Sequence, residues 1–159
     1  MTDHSLLGYQ FPPFRFKVEE GKLVEFARAV YCTDSYYFDS NAARQQGFDA
    51  QPIPPTYSTV ASHWQPDSAS NPLNLDLKRV LAGGNEWEYL RPIVAGEELT
   101  VRTAITDVSH KQGKKGLMTL IVREMSFFDA QEQLALIARS TIIEMPPAPA
   151  LNVSEVLPT

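Results

Sequence analysis

The sequence predicts a single α+β domain in which helices lie on one face of an antiparallel sheet. The first half of the chain shows helical periodicity and proline-rich segments, whereas from Leu75 onward apolar and polar residues alternate in long runs separated by turns. Helical segments followed by a block of strands are typical of α+β proteins. For 159 residues one domain is expected. We place it at residues 1–147, followed by a tail, 148–159, that need not be ordered.

Composition excludes several classes of function. The net charge of −5 gives no reason to expect nucleic acid as a partner. The lone Cys32 cannot form an internal disulfide, which fits a reducing, cytoplasmic location. Residues 1–8 do not resemble a signal peptide, and no apolar stretch approaches the roughly 18 residues of a membrane span. No cofactor or metal site is predicted.

The first elements are a strand and two helices. Phe14–Val18 alternates apolar and polar residues after two prolines and is predicted to be a short strand. A helix that starts near Gly21 is predicted from an apolar face at helical spacing: Leu23, Phe26, Ala27, Val30 and Tyr31. Asn41–Gln46 predicts a second short helix, which Gly47 closes.

A proline-rich segment leads into a predicted central helix. Gln51–Pro55 contains three prolines and therefore belongs to neither a helix interior nor a central strand. Proline is favourable in a first helical turn, so Pro55 is expected to open a helix that runs through Trp64. Its predicted apolar stripe is Tyr57, Val60, Ala61 and Trp64. Residues 65–74 are polar, include two prolines and are predicted to form a loop.

The second half predicts an antiparallel meander of about four strands. Asn85–Leu90 is rich in aromatic residues. Further on, Leu99, Val101, Thr103 and Ile105 alternate with Thr100, Arg102 and Thr106. Two longer strands and two turns follow, in the order turn Lys111–Gly116, strand Leu117–Phe128, turn Asp129–Gln133 and strand Leu134–Glu144. If this sheet is strongly curved, it can wrap around the predicted central helix within one α+β domain.

The segment Thr33–Asp39 is the first candidate site. It combines an acid, hydroxyl groups and three aromatic side chains with no clean helical or strand period. Such a composition favours the rim of a site over a core element. Asp34 is either a catalytic acid or a group that stabilises a turn or an interface. Tyr36, Tyr37 and Phe38 are expected to pack at a rim or an interface, because aromatic residues dominate such contacts.

Several segments together resemble the N-terminal, FAS1-type domain of the MaoC-like dehydratase family, over roughly residues 11–144. The segments that carry the resemblance are 17–29, 33–47, 52–57 and the glycine-led aromatic strand with its Arg-Pro-x-x-x-Gly turn at 83–97. The resemblance implies a hot-dog fold, in which a curved antiparallel sheet wraps a central helix. It also implies addition of water to enoyl thioesters, of coenzyme A or acyl carrier protein, or its removal from 3-hydroxyacyl thioesters.

The resemblance further implies which parts do the chemistry. Active members of this family use an aspartate and a histidine five positions later, with a backbone amide near the start of the central helix. Many members pair two hot-dog halves, of which one binds the acyl chain and the other supplies the catalytic pair. This chain resembles the binding half.

This chain departs from the active pattern at two points. Asp34 matches the aspartate, but Tyr37 and Asp39 stand where the histidine is expected. Pro54 or Pro55 stands where a helix-opening glycine is expected, and proline has no N–H to donate. Asp34 is therefore interpreted as a vestigial catalytic residue. The predicted substrate-binding residues are Tyr36, Tyr37, Pro55, Thr56, Tyr57 and His63, although for His63 a structural polar contact is the expected role.

We therefore predict a substrate-binding, non-catalytic subunit of an enoyl-thioester hydratase or 3-hydroxyacyl-thioester dehydratase, paired as a homodimer or with a catalytic hot-dog chain. The alternatives are a hot-dog thioesterase and a non-enzymatic acyl-CoA-binding module. The thioesterase is disfavoured because residues 55–64 contain no carboxylate. Lys111, Lys114 and Lys115 either meet a CoA phosphate or are simply solvated. Cys32 lies close to Asp34, which should raise the pKa of its thiol and make it a poor nucleophile.

Overall fold

The computed structural model describes residues 6–65, 73 and 75–147 and contains one five-stranded antiparallel sheet with short helices. The strands are β1 (Phe14–Lys17), β2 (Val80–Tyr89), β3 (Glu98–Gly113), β4 (Gly116–Phe128) and β5 (Leu134–Glu144). They are ordered β1-β3-β4-β5-β2 across the sheet. The α+β prediction is confirmed. The predicted tail, 148–159, and most of the predicted loop 65–74 lie outside the described residues.

The predicted four-strand meander is wrong in one respect, because β2 does not pair with the strand that follows it. Only β3, β4 and β5 form a meander, and β2 pairs along its whole length with β5 at the far edge. A register shift between Ala82 and Gly84 bends β2 against β5. Gly83 sits in that bend, where a Cβ atom would come within 3.0 Å of the Ile143 side chain. This close approach explains a glycine inside a strand.

The long strands have the predicted alternation, which decides what they bury. Leu99, Val101 and Ile105 on β3 face the same side of the sheet as Ile121 and Phe127 on β4, and all five are buried. Two-residue spacing places alternate side chains on one face, so one side of the sheet becomes apolar. The β3–β4 turn is shorter than predicted, because β3 continues to Gly113 and only residues 114–115 remain outside the strands.

Two apolar clusters form the core. The larger one joins the sheet to the helices and includes Phe16, Val18, Leu23, Ile53, Tyr57, Ala61, Ile93, Leu99, Val101, Phe127 and Leu136. The smaller one is built from Phe11, Leu73, Ile105, Val108 and Ile121. Since the two clusters share no residue, the inner face of the sheet carries two separate apolar regions.

The first helix, α1 (Glu20–Ala29), buries Leu23 and Ala27 as predicted. Its predicted apolar face was wrong for Val30 and Tyr31, which are 44% and 89% exposed. Tyr31 adopts a left-handed conformation with φ 58°, so the helix ends before it and the periodicity no longer decides which way its side chain points. The second helix, α2 (Ser40–Gln45), is confirmed, with the Asp39 carboxylate accepting from the Ala42 N–H at 2.7 Å.

The predicted central α-helix is instead a 3₁₀-helix, Tyr57–Trp64, called here the central 3₁₀-helix. Pro54 and Pro55 supply no N–H groups to an α-helical first turn. Thr59 and Ser62 then donate side-chain hydrogen bonds to carbonyls three residues earlier, both at 2.8 Å. Such local bonds compete with the α-helical pattern. The central element is therefore tighter than predicted, and Trp64 remains 43% exposed while its ring contacts Phe16.

Asp129 holds the turn between β4 and β5, and this role makes the stability of the domain depend on pH. Its carboxylate accepts from the N–H groups of Gln131 and Gln133, both at 2.9 Å, and pairs with Arg91. These donors hold the pKa of Asp129 below its usual value, with the Gln133 amide as the largest cause. A lowered folded-state pKa gives stability that is complete above the unfolded-state pKa and lost as the pH falls through the folded-state pKa.

We therefore expect Asp129→Asn to flatten the acid limb of the stability curve, below about pH 4. The midpoint temperature of unfolding should fall as the pH drops through this window, and it should fall less in the variant than in the wild type. Thermal melts followed by circular dichroism from pH 2 to pH 6 measure the difference. Asp49→Asn, at an exposed bend, is the control. Parallel acid limbs for wild type and Asp129→Asn would contradict the prediction.

Candidate functional site

A cavity of about 430 Å³ lies beside the segment singled out in the sequence. It is mainly aromatic and apolar, and we call it the tyrosine pocket. It is lined by Tyr36, Tyr37, Phe48, Pro52, Ile53, Pro55, Tyr89, Leu90, Arg91, Pro92 and Ile93. Three segments distant in the chain therefore meet here: the turn after α1, the proline-rich segment and the end of β2.

The turn after α1 presents two tyrosines to the pocket. Ser35–Tyr37 forms one turn of 3₁₀-helix, closed by hydrogen bonds from the Tyr37 and Phe38 amides at 3.2 and 2.9 Å. This turn brings the rings of Tyr36 and Tyr37 to 4.5 Å between centroids, and Tyr36 also packs on Phe48 at 5.9 Å. Tyr36 and Tyr37 thus form part of the pocket wall, whereas Phe38, which follows them, does not line the pocket.

Asp34 stands at the edge of this turn and does not line the pocket. Its carboxylate is exposed and accepts a hydrogen bond from the Tyr36 hydroxyl at 3.0 Å. Hydrogen bonding to Tyr37, burial and the neighbouring Asp34 raise the pKa of Tyr36 above that of an ordinary phenol. Burial and Asp34 likewise raise the pKa of the Cys32 thiol, which confirms the predicted direction. Both groups stay protonated near pH 7, so neither serves as a general base.

The opposite wall is the proline-rich segment, which is tied to the loop after β2. The Ile53 amide donates to the Ile93 carbonyl at 2.9 Å, and the Ala95 amide donates to the Gln51 carbonyl at 2.8 Å. The Tyr89 hydroxyl donates to the Pro55 carbonyl at 2.9 Å. Burial raises the pKa of Tyr89 to about 12, so this hydroxyl remains a donor. Three hydrogen bonds of ordinary length thus hold this wall in place.

The remaining predicted substrate-binding residues lie away from this cavity. Tyr57 is 1% exposed and packs in the larger core cluster, where burial raises its pKa to about 12. His63 is exposed on the central 3₁₀-helix, and Thr56 precedes that helix. The structure thus brings Tyr36, Tyr37 and Pro55 together in one pocket and separates them from Tyr57, Thr56 and His63.

The sequence did not single out Phe48, Tyr89, Leu90 or Arg91 as pocket residues. Arg91 contacts Glu97 at 2.8 Å and Asp129 at 3.3 Å, which fixes the loop after β2. The sequence signal for these residues was the Arg-Pro-x-x-x-Gly motif, which marks a turn after β2. The motif does not indicate that this turn lies beside the proline-rich segment, which follows only from the fold.

A second cavity, of about 780 Å³, is lined by four basic and four apolar residues. Lys114 and Lys115 from the β3–β4 turn meet Lys78 and Arg79 before β2. Arg79 is engaged by Asp76 and Glu144, which leaves the lysines as the cations directed to solvent. Lys111 does not line this cavity. A role of Lys114 and Lys115 in binding a CoA phosphate stays a prediction.

Over residues 6–65, 73 and 75–147, no three His, Cys, Asp or Glu side chains gather as metal ligands. In the same residues, no helix has the length and apolar character needed to cross a bilayer.

Comparison with known proteins agrees with this geometry. Residues 5–137 match the family model for the FAS1-like dehydratase domain region. A UPF0336 protein of Leifsonia xyli is 31% identical over 142 residues, which cover 87% of this chain and 93% of that protein. A UPF0336 protein of Streptomyces griseus is 35% identical over 114 residues, covering 70% and 76% of the two chains.

Solved structures show the same fold at low identity. The HadBC (3R-hydroxyacyl-ACP dehydratase) complex of Mycobacterium tuberculosis aligns with TM-score 0.71 and 24% identity over 87% of this chain and 96% of that one. A MaoC-like dehydratase aligns with TM-score 0.77 and 24% identity, over 89% of this chain and 42% of that one. The ChsH1-ChsH2 complex of Mycobacterium tuberculosis aligns with TM-score 0.69 and 20% identity, over 89% of this chain and 87% of that one. The hot-dog prediction is confirmed, and the chain belongs to the FAS1-like dehydratase domain region family of MaoC-like hot-dog proteins.

Proposed function

We propose that this chain is the substrate-binding, non-catalytic subunit of an enoyl-thioester hydratase or 3-hydroxyacyl-thioester dehydratase. The observation that carries the proposal is the tyrosine pocket beside Asp34, which has the shape of a binding site but no general base. A partner hot-dog chain would supply the Asp/His pair, and the tyrosine pocket would hold the acyl part of the thioester.

The chemistry of water addition supports this division of labour. The reaction needs a general base, a general acid and a donor for the enolate oxygen. Asp34 is exposed and bonded to Tyr36, and raised pKa values keep Tyr36 and Tyr89 as neutral phenols. Pro54 and Pro55 have no N–H groups to offer at the start of the central 3₁₀-helix. The pocket is instead apolar with a few polar groups, as small-molecule sites generally are.

The sheet supports a paired assembly. β2 lies at one edge and, among the described residues, pairs only with β5. An edge strand of ten residues presents backbone groups that another strand can complete. Leu81 on this strand and Leu90 just beyond it are exposed. Two of the similar structures, HadBC and ChsH1-ChsH2, are complexes, which favours a heteromer over a homodimer.

Activity of the lone and the paired chain tests the proposal. We expect the purified chain to hydrate crotonyl-CoA or a longer enoyl thioester at background rate. Co-expression with a hot-dog chain carrying the Asp/His pair should raise the rate by at least 100-fold, and Asp34→Ala should leave that rate within about threefold. A rate of that size from the lone chain, abolished by Asp34→Ala, would make this chain catalytic and overturn the proposal.

The edge strand gives a separate prediction about assembly. Gly84→Lys places a charge on β2 at a position where a Cβ atom has open space, so the domain should fold normally. We expect the variant to weaken pairing with the partner chain at least tenfold in sedimentation velocity, because the β2 edge would then carry a long, positively charged side chain. Gly21→Lys, also in open space but on α1, is the matched control. Unchanged pairing in Gly84→Lys would exclude β2 from the interface.

A non-enzymatic acyl-CoA-binding module is the second candidate, favoured by the basic cavity at Lys78, Lys114 and Lys115. It predicts tight acyl-CoA binding by the lone chain and no turnover with any catalytic partner. Equilibrium dialysis with radiolabelled acyl-CoA, run beside the co-expression assay, separates the two candidates.

A further inference from the structure

A third, smaller cavity lies between the central 3₁₀-helix and the inner face of the sheet. Its volume is about 100 Å³, and no residue that lines it also lines the tyrosine pocket. It is lined by Ser58, Thr59, Ser62, Asn85, Trp87, Arg123, Met125, Ala138, Arg139 and Ser140. We call it the Arg123 chamber. Its many polar groups are unexpected on the core side of a sheet.

Arg123 is on the core side because of strand alternation. It lies on β4 between Ile121 and Met125, which are both buried on the inner face, and two-residue spacing directs all three the same way. Its neighbours in the sheet are Ile105 on β3 and Ser140 on β5. An arginine is unexpected at this position, because the residues two positions before and after it on the same face are an isoleucine and a methionine.

The Arg123 side chain is partly buried, and one nitrogen of its guanidinium lacks a partner in the described part of the chain. Its Nε is buried and has no hydrogen-bond partner among the described residues. Burial alone lowers the pKa of Arg123, with no neighbouring charge to offset it. The other arginines on strands behave differently: Arg15, Arg102 and Arg139 each pair with at least one glutamate. A buried cation left without an anion is costly, so its retention indicates a use.

The rest of the chamber also offers donors. The Trp87 ring N–H donates to the Ser58 hydroxyl at 3.0 Å, so the Ser58 proton is left to point elsewhere. Asn85 and Ser140 are paired across β2 and β5 in the same row as Arg123. Among the described residues, no aspartate or glutamate lines the chamber. Arg139, its second cation, is engaged by Glu86, Glu88 and Glu124. An anion with several hydrogen-bond acceptors would therefore complement the donors and the positive charge of this chamber.

Size and shape narrow the chemistry of that anion. A volume of about 100 Å³ corresponds to roughly three water molecules of liquid. This suits a carboxylate with the first carbons of an attached chain, whose remainder would lie outside the chamber, and it is small for a nucleotide phosphate with its sugar. A guanidinium binds the planar carboxylate through two parallel hydrogen bonds. Trp87, Met125 and Ala138 supply an apolar wall for a hydrocarbon chain attached to it.

We propose that the Arg123 chamber binds the carboxylate of an organic acid that carries an apolar chain, with Arg123 as its cationic partner. The acid is either a free fatty acid or the distal carboxylate of a dicarboxylic acyl thioester. This site is additional to the tyrosine pocket and does not depend on whether the chain works with a catalytic partner.

Paired probes that differ only in charge test the proposal. Octanoate and octanamide are titrated into the full chain by calorimetry at pH 7. Octanoate is expected to bind at least tenfold more tightly than octanamide. Arg123→Met should remove this difference by weakening octanoate at least tenfold while leaving octanamide unchanged. Arg102→Met, which removes an exposed arginine from the outer side of β3, should preserve the preference.

Two further arms keep the test decisive. Arg123→Met removes an uncompensated buried charge, so its thermal midpoint should equal or exceed that of the wild type. Arg123→Lys, which keeps the charge and loses the two-pronged geometry, should retain only part of the preference. Comparing suberoyl-CoA with octanoyl-CoA shows whether a distal carboxylate on a thioester occupies the chamber. Equal binding of octanoate and octanamide by the wild type, or a preference that survives in Arg123→Met, would overturn the proposal.

Discussion

Tyr57→Ala is expected to lower the free energy of unfolding by about 3–5 kcal/mol, which is the range for removing a large buried aromatic ring. Tyr57 is 1% exposed and begins the central 3₁₀-helix. Its ring meets Phe26 edge-on at 5.3 Å and Phe16 at 6.1 Å. Removing it would leave a cavity where α1, β1 and the central 3₁₀-helix come together.

Urea unfolding with linear extrapolation measures this loss, and two variants control it. Tyr31→Ala removes a tyrosine that is 89% exposed and should change stability by no more than about 0.5 kcal/mol. Tyr57→Phe keeps the ring and should retain most of the stability. A Tyr57→Ala variant as stable as Tyr31→Ala would show that this tyrosine is not part of the core, and its predicted role in substrate binding would then gain support.

Tyr37→Ala is expected to raise the KM for a medium-chain enoyl thioester at least tenfold in the assembled enzyme, with kcat changed less than about threefold. The Tyr37 ring lines the tyrosine pocket beside Tyr36, and losing roughly 1.4 kcal/mol of contact with substrate weakens binding tenfold. A wall residue that contacts ground state and transition state alike affects KM rather than kcat.

Asp34→Asn provides the contrast in the same assay. Its carboxylate bonds to the Tyr36 hydroxyl at the edge of the pocket, so its loss should alter KM modestly and leave kcat within about twofold. Tyr31→Ala, which alters a tyrosine outside the pocket, is the control for general effects of losing an aromatic ring. A kcat that collapses in Asp34→Asn while the partner's aspartate is intact would assign catalysis to this chain.

The sequence predicted the local elements well, because their signals are local. Strand β5 runs over Leu134–Glu144 as alternation and the flanking turns indicated. Gly47 ends α2 with φ 87°, a conformation that glycine adopts without strain. The three prolines of Gln51–Pro55 kept that segment out of both helix and sheet interior, and it became a wall of the pocket.

The sequence predicted the candidate site only in part. Tyr36, Tyr37 and Pro55 were expected and share one cavity, whereas Tyr89 arrives from the end of a strand 52 positions beyond Tyr37. A hydroxyl at that position bonds to Pro55 only because β2 runs along β5 and ends beside the proline-rich segment. No periodicity within β2 carries this information.

Two features were decided by tertiary structure alone. The place of β2 at the far edge of the sheet depends on its pairing with β5, about 50 residues away in sequence. The Arg123 chamber depends on register, since Arg123, Ser140 and Asn85 become neighbours only when three strands are aligned.

The sequence by itself therefore determined where most strands, helices and turns lie, and that the histidine expected from the family resemblance is missing after Asp34. The two-residue repeat of a strand and the repeat of three to four residues of a helix each describe a single element. Tertiary structure decided which elements meet, because strand order and register arise from packing between distant segments. The tyrosine pocket and the Arg123 chamber both lie at such meeting points.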